Sequence, residues 1–521
     1  GLGDVYKRQI LYKNLNIHYY DKLQVRPNML YRWMNYQQFV RSKQMRASNR
    51  TRLYSQYRQE QVQEKLSQLG IFSYMDMQYA PRDTTAACDT LDVTMQATFA
   101  KPLDAELELN VVTKSNDQTG PGASFGVTRN NVFGGGESWN VKLKGSYEWQ
   151  TGGGEKSSLM NSWEMGLSTS LTFPRVVFPH LGKREFDFPA TTTFRLYINQ
   201  LNRAKYYKLL SFGGNATYDF QPSRTSRHSI TPFKLTFNVL QHQSEDFKEI
   251  AEANPALYVS LRNQFIPAME YTYTYDNASG RRIKNPIWWQ STVTSAGNIT
   301  SLIYRAFGKP FNEEDKSLLG APFAQFVKLN TELRHLWNID KNNAIASRMA
   351  VGALFTYGNA TIAPYSEQFY VGGANSIRAF TVRSVGPGGY HPEEGKYSYL
   401  DQTGTFRFEA NVEYRFRIFK SFWGATFLDA GNVWLLRKDR KLLADGKEAR
   451  PNSQLRLKTF PKQIALGTGV GIRYDMDILV FRLDFGIPLH LPYDTERSGY
   501  YNVTGAFFKN LGIHFAIGYP F

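Results

Sequence analysis

The sequence predicts an all-β transmembrane barrel of about 16 antiparallel strands, preceded by a small α+β module. Three observations carry that expectation. Apolar and polar residues alternate with period two over most of the chain from about residue 104 onward. Several of these alternating runs exceed the roughly 9–11 residues that a tilted strand needs to cross a bilayer, whereas soluble strands peak at about 5–6. The aromatic content is high, with 36 Phe, 32 Tyr and 9 Trp in 521 residues. Phe, Tyr and Trp gather near strand ends, as an interfacial girdle requires.

The alternation is clearest in FRFEANVEYRFRI. Phe406, Phe408, Ala410, Val412, Tyr414, Phe416 and Ile418 share one face, and Arg407, Glu409, Asn411, Glu413, Arg415 and Arg417 share the other. Five charges on six consecutive same-face positions cannot meet a dry core, so that face is wet or paired. The runs from Phe233 to Val239, from Phe481 to Leu489 and from Ile513 to Phe521 repeat the pattern. At roughly 25 residues per strand and connection, the chain beyond position 105 accommodates about 16 strands.

Before the barrel, Val62, Leu66 and Leu69 fall at i, i+4 and i+7 ahead of Gly70, which predicts a helix with a glycine at its C-terminal end. A second helix is expected near Val25–Val40 and a strand at Asn14–Tyr20. Alternation from Ser73 to Tyr79 and from Leu91 to Phe99 predicts two further strands, giving the order β-α-α-β-β. The expected domains are a leader at 1–12, the α+β module at 13–101 and the barrel at 102–521. The leader carries neither a cap nor a signal-peptide pattern, which suggests an N-terminally truncated chain with a foreign start.

Composition excludes several classes. A single cysteine, Cys88, rules out an internal disulfide framework and cysteine-rich zinc modules. Mean hydropathy is −0.44 and the chain has no long uncharged apolar run, so a helical membrane bundle is excluded. The formal charge of +17 is scattered rather than striped, and nucleic acid is not expected as a partner. Gly122-Ala123-Ser124-Phe125-Gly126 matches a nucleophile elbow in letters, but no helix pattern follows it. Gly467, Gly469 and Gly471 leave one strand face bare, where another segment can approach closely. The eight histidines, His514 among them, show no ligand spacing, and neither a metal nor a cofactor is expected.

One segment stands apart from the strands. Gly372-Gly373-Ala374-Asn375-Ser376-Ile377-Arg378-Ala379-Phe380 leads into TVRSVGPGGY, forming a turn-rich loop near 369–390 with a central arginine. It resembles the lumenal loop of the BamA/TamA superfamily (the bacterial surface antigen family), which folds into the barrel and carries a Val-Arg-Gly-Phe/Tyr tetrad. Here the tetrad is Ile377-Arg378-Ala379-Phe380, with alanine in place of glycine. The resemblance implies acidic anchors for the arginine at Glu413, in NVEYRF, and Asp429, in FLDAGNVW. It extends to the NNVFGGGE segment (Asn130–Glu137), to the terminal aromatic Phe521, and to the α+β module, which is similar to a POTRA domain.

The resemblance further implies an outer-membrane protein, with its POTRA domain in the periplasm, that inserts or translocates other proteins without making or breaking bonds. Client strands would pair with an exposed seam between the first and last barrel strands. The residues expected there are Leu107 and Leu109 on one side, and Gly512, Phe515, Gly518, Pro520 and Phe521 on the other. Implied partners are unfolded outer-membrane proteins, outer-membrane lipids, and a periplasmic accessory or inner-membrane-anchored partner, the latter for a TamA-like form. The alternatives are a dedicated two-partner secretion pore, a passive channel, or an enzyme barrel, for which no serine/histidine pair stands out.

Overall fold

The computed structural model describes residues 8–13, 15–34, 56–83, 85, 88, 91–113, 118–150, 162–178, 190–203, 207–245, 248, 263–278, 283–312, 316–318, 320–359, 363–392, 402–438, 448, 450–476, 479–497, 499–505 and 510–521. Residues 1–7 of the expected leader and 35–40 of the second expected helix lie outside these.

The N-terminal module opens with β1 (Arg8–Tyr12) and β2 (Leu15–Tyr19), continues through α1 (Pro27–Met34) and α2 (Gln56–Gln68), and ends with β3 (Phe72–Pro81) and β4 (Leu91–Phe99). Where one leading strand was expected there is a hairpin, because Arg8–Tyr12 pairs antiparallel with Leu15–Tyr19. β3 and β4 form a second, separate hairpin. Val62 and Leu66 of α2 are buried against Met77 of β3, as their helical spacing predicts. Val25, Met29 and Leu30 pack with Ile71 in an adjoining cluster.

The barrel strands are β5 (Leu103–Thr113), β6 (Gln118–Asn130), β7 (Ser138–Gln150), β8 (Ser162–Phe173), β9 (Ala190–Arg203), β10 (Tyr207–Phe220), β11 (Ser226–Gln243), β12 (Gln264–Asp276) and β13 (Ile287–Ala296). A helix, α3 (Asn298–Ala306), and a short hairpin of β14 (Ser317–Leu318) and β15 (Ala321–Pro322) intervene. The barrel resumes with β16 (Phe326–Asn338), β17 (Asn343–Thr356), β18 (Phe406–Phe419), β19 (Phe422–Trp434), β20 (Ala465–Asp475), β21 (Val480–His490) and β22 (Gly512–Ile517). These pair antiparallel in sequence order into one 16-stranded sheet, with β14 and β15 excluded from it. No described helix is long and apolar enough to cross a membrane; the crossing elements are strands. Every barrel strand except β22 runs ten residues or more, sufficient to span a hydrocarbon core.

Side chains sort by parity. On β18, Glu409, Asn411 and Glu413 are buried, whereas Val412 and Tyr414 project outward into exposure. Outward apolar side chains continue around the sheet through Leu143, Leu167, Leu196, Leu235, Val293, Leu333, Leu428, Ile472 and Phe515, all exposed. In a bilayer this belt faces lipid, and the charged inner face needs internal partners. Gly122–Gly126 lies within β6, so the serine of that segment sits on a strand and not on an elbow. The module and the barrel meet at the turn after β6. There the Arg26 N–H donates to the Gly134 carbonyl at 2.7 Å, and Asn131 Nδ2 donates to the Gln24 carbonyl at 2.7 Å.

Candidate functional site: a seated lumenal loop and the ends of the sheet

The loop between β17 and β18 enters the barrel. Its two glycines close a compact turn, with the Gly373 N–H donating to the Phe380 carbonyl at 2.7 Å and the Gly372 N–H to Ser376 Oγ at 3.0 Å. Phe369, Val371, Ile377, Ala379, Phe380 and Val385 pack against the inner wall at Ile266, Phe326, Leu354, Val433 and Ala465, so an apolar core holds the loop to that side of the barrel.

Arg378 stands at the centre, 1% exposed. Its Nε and Nη2 donate to the two carboxylate oxygens of Asp429 at 2.8 and 2.9 Å, a bidentate fork. Its backbone N–H also donates to Asp429, at 3.0 Å, and Nη1 donates to Glu413. The guanidinium lies 3.6 Å from the ring centre of Phe427, which shares the lumenal face with Ala425 and Asp429. The structure therefore brings Arg378, Glu413 and Asp429 into direct contact.

Around them lies a set of partners that the sequence did not single out. Arg473 on β20 joins Glu413 at 3.0 Å and Asp484 on β21 at 2.5 Å. Arg482 contacts Asp484 at 3.4 Å and donates to Asn375 of the loop at 2.7 Å. Asn411 donates to Asp429 at 2.9 Å and to the Ser376 carbonyl at 2.8 Å, while Ser376 Oγ donates to Glu409 at 2.6 Å. His514 Nε2 donates to the Arg378 carbonyl at 2.7 Å, which ties β22 to the loop. Parity places Glu409 and Asn411 on the lumenal face; which residues converge there depends on the register of distant strands, and no short-range pattern records that.

Bare strand faces make the seat. A Cβ built on Gly486 would stand 2.6 Å from the Arg378 carbonyl oxygen, and one on Gly467 would stand 2.3 Å from Ala379 Cβ. Alanine in the loop thus has its room supplied by the wall at Gly467. Gly467→Ala should cost about 1–3 kcal/mol through overpacking. Combining it with Ala379→Gly should recover most of that loss, since the methyl only changes sides. Thermal loss of compact migration in detergent gels measures both; equal losses in the single and the double variant would contradict the contact.

The sheet begins at β5 and ends at β22, and among the described residues no ladder joins the two. β5 is exposed along its described length, with Leu107 68% and Leu109 75% exposed. β22 is short, and its ladder to β21 runs only from Ile517 to Gly512. The expected final strand through Phe521 stops at Ile517. Gly518 takes φ 87, a left-handed conformation that ends the extended run, and Pro520 has no N–H to continue a ladder. Beyond it, Tyr519 lies under the Arg415 guanidinium at 4.2 Å, and the Phe521 carbonyl accepts from Arg415 at 3.4 Å. Gly512 and Phe515 are on the strand; Gly518, Pro520 and Phe521 follow it. Ile513 and Phe515 point outward and His514 inward.

A 16-stranded barrel with long lipid-facing strands and an arginine-seated lumenal loop defines a class of outer-membrane barrels. Residues 131–521 match the model of the Omp85 superfamily domain, and the chain belongs to that superfamily, whose members insert or secrete proteins at the outer membrane. Among solved structures it is similar to BamA from Haemophilus ducreyi lacking POTRA domains 1–3, at 13% identity and a TM-score of 0.57, covering 98% of this chain and 88% of that one. CdiB from Acinetobacter baumannii matches at 12% identity and a TM-score of 0.45, covering 85% of this chain and 67% of that one.

Proposed function

We infer that the protein assembles or translocates outer-membrane proteins by offering the edges of β5 and β22 as a template for client strands. The observation that carries this reading is the sheet that ends on two strands with no described ladder between them. In lipid, unpaired backbone N–H and C=O groups cost several kcal/mol each, and an incoming strand satisfies them by β-augmentation. The loop packed against the inner wall supports this reading over a passive channel, since it takes up lumen that a solute path would use. In this reading the N-terminal module serves as a periplasmic POTRA domain that receives clients or an accessory partner, and the seated loop holds the wall that carries the seam.

Capture separates the readings. A variant carrying a photo-crosslinking residue at Leu107, expressed in cells, should yield adducts with many different outer-membrane barrel precursors. A single secreted partner would favour the dedicated secretion pore, and an absence of adducts would contradict client templating.

A further inference from the structure

We propose that α3 is an interfacial helix that seats its apolar stripe in the outer leaflet of the membrane, beside the barrel wall. Counting strands from β5, whose start adjoins the N-terminal module, β13 ends at the opposite rim, and α3 follows after Gly297.

At that rim the segment after α3 covers the outer face of the sheet. Phe265 of β12 pairs with Phe237 of β11, and Phe237 shares its face with the exposed Phe233 and Leu235, so Phe265 points outward as well. Yet Phe265 is buried. Ala321 and Phe323 pack over it with Tyr304 of α3 and Leu318, and the Tyr304 ring lies 6.1 Å from that of Phe323. Thr300, Ser301 and Tyr304 therefore form the inner side of α3. Ser301 is fixed there by its hydrogen bond to Gln325 at 2.9 Å.

The other side is apolar and uncovered. Ile299, Leu302, Ile303 and Phe307 recur at i, i+3, i+4 and i+8, and are 46%, 54%, 52% and 85% exposed. Four large apolar side chains in one stripe are costly in water, at about 25 cal/mol per Å² of apolar surface. Acyl chains are the occupant that fits, for two reasons. The helix rests on a wall whose neighbouring side chains, Phe233, Leu235 and Phe212, already belong to the lipid-facing belt, so the stripe continues an existing lipid interface. Arg305 and Lys309 flank the stripe, both exposed, where a basic residue at the headgroup level meets lipid phosphate. The inference is independent of the templating reading, because it concerns how the rim sits in lipid.

The single native cysteine makes the test direct. In the full chain carrying Cys88→Ala, nitroxide labels are placed singly at Ile303→Cys, Phe307→Cys and Arg305→Cys, with Leu333→Cys as a belt reference. The protein is reconstituted in phosphatidylcholine/phosphatidylglycerol vesicles, and folding is checked by gel migration. Labels at 303 and 307 should collide with oxygen and escape a water-soluble nickel chelate to the same degree as the label at 333, while the label at 305 shows the reverse. Nickel accessibility at 303 and 307 equal to that at 305 would overturn the proposal. So would exclusion of both reagents with dipolar broadening, which would mean that a second copy of the chain covers the stripe.

Discussion

Arg378→Ala should unseat the lumenal loop and lower stability by about 3–5 kcal/mol, the cost of removing one partner from a buried ion pair. Asp429 bears most of this loss. Of its described partners it would keep the Asn411 amide, whereas Glu413 retains Arg473 and Arg415. Two measurements separate charge burial from seating: the temperature at which compact migration is lost, and the rate of proteolysis within 369–390. Adding Asp429→Asn to Arg378→Ala should restore much of the thermal stability, because the orphaned charge is gone, yet leave the loop susceptible. Arg378→Lys should also fail to restore seating, since one ammonium cannot reproduce the fork on Asp429 together with the bond to Glu413. Unchanged melting and proteolysis in Arg378→Ala would contradict the anchoring role.

Much of this architecture was legible because a barrel strand writes its two faces into alternate residues. The run from Phe406 to Ile418 assigns the faces of β18 without reference to any other strand, and the structure buries Glu409, Asn411 and Glu413 accordingly. The length of chain beyond residue 105, at roughly 25 residues per strand and connection, predicts about 16 strands, and the sheet has 16. The pairing of Arg378 with Glu413 and Asp429 rested on resemblance to a family. Charge chemistry requires a carboxylate beside a buried guanidinium but does not say which.

What stayed hidden depends on long-range register or on local exceptions to period two. Arg473, Arg482 and Asp484 lie about a hundred residues from the loop in sequence, and only the register of β20 and β21 brings them to it. His514 read as one histidine among eight, although it is the side chain by which β22 hydrogen-bonds the Arg378 carbonyl. α3 interrupts a region in which the period-two pattern predicts strand almost throughout. The spacing of Ile299, Leu302, Ile303 and Phe307 was the signal that could have found it. The end of β22 was placed at Phe521 rather than Ile517, since apolar alternation persists through Tyr519 and Phe521 while the backbone turns at Gly518.

The templating account stands or falls on whether the edges of β5 and β22 must part. Leu109 and Phe515 point outward on those two strands, so a bridge between cysteines placed there would cross the seam without entering the lumen. A bridge would hold β22, whose ladder to β21 is short, against β5, and would deny a client both edges. The decisive measurement is the folding of a radiolabelled outer-membrane barrel precursor into vesicles containing the oxidised double variant in the Cys88→Ala background. Client insertion should fall to the rate of empty vesicles while the locked protein keeps its compact migration, and a reductant should restore it. Insertion by the locked form at the rate of the reduced form would contradict the account.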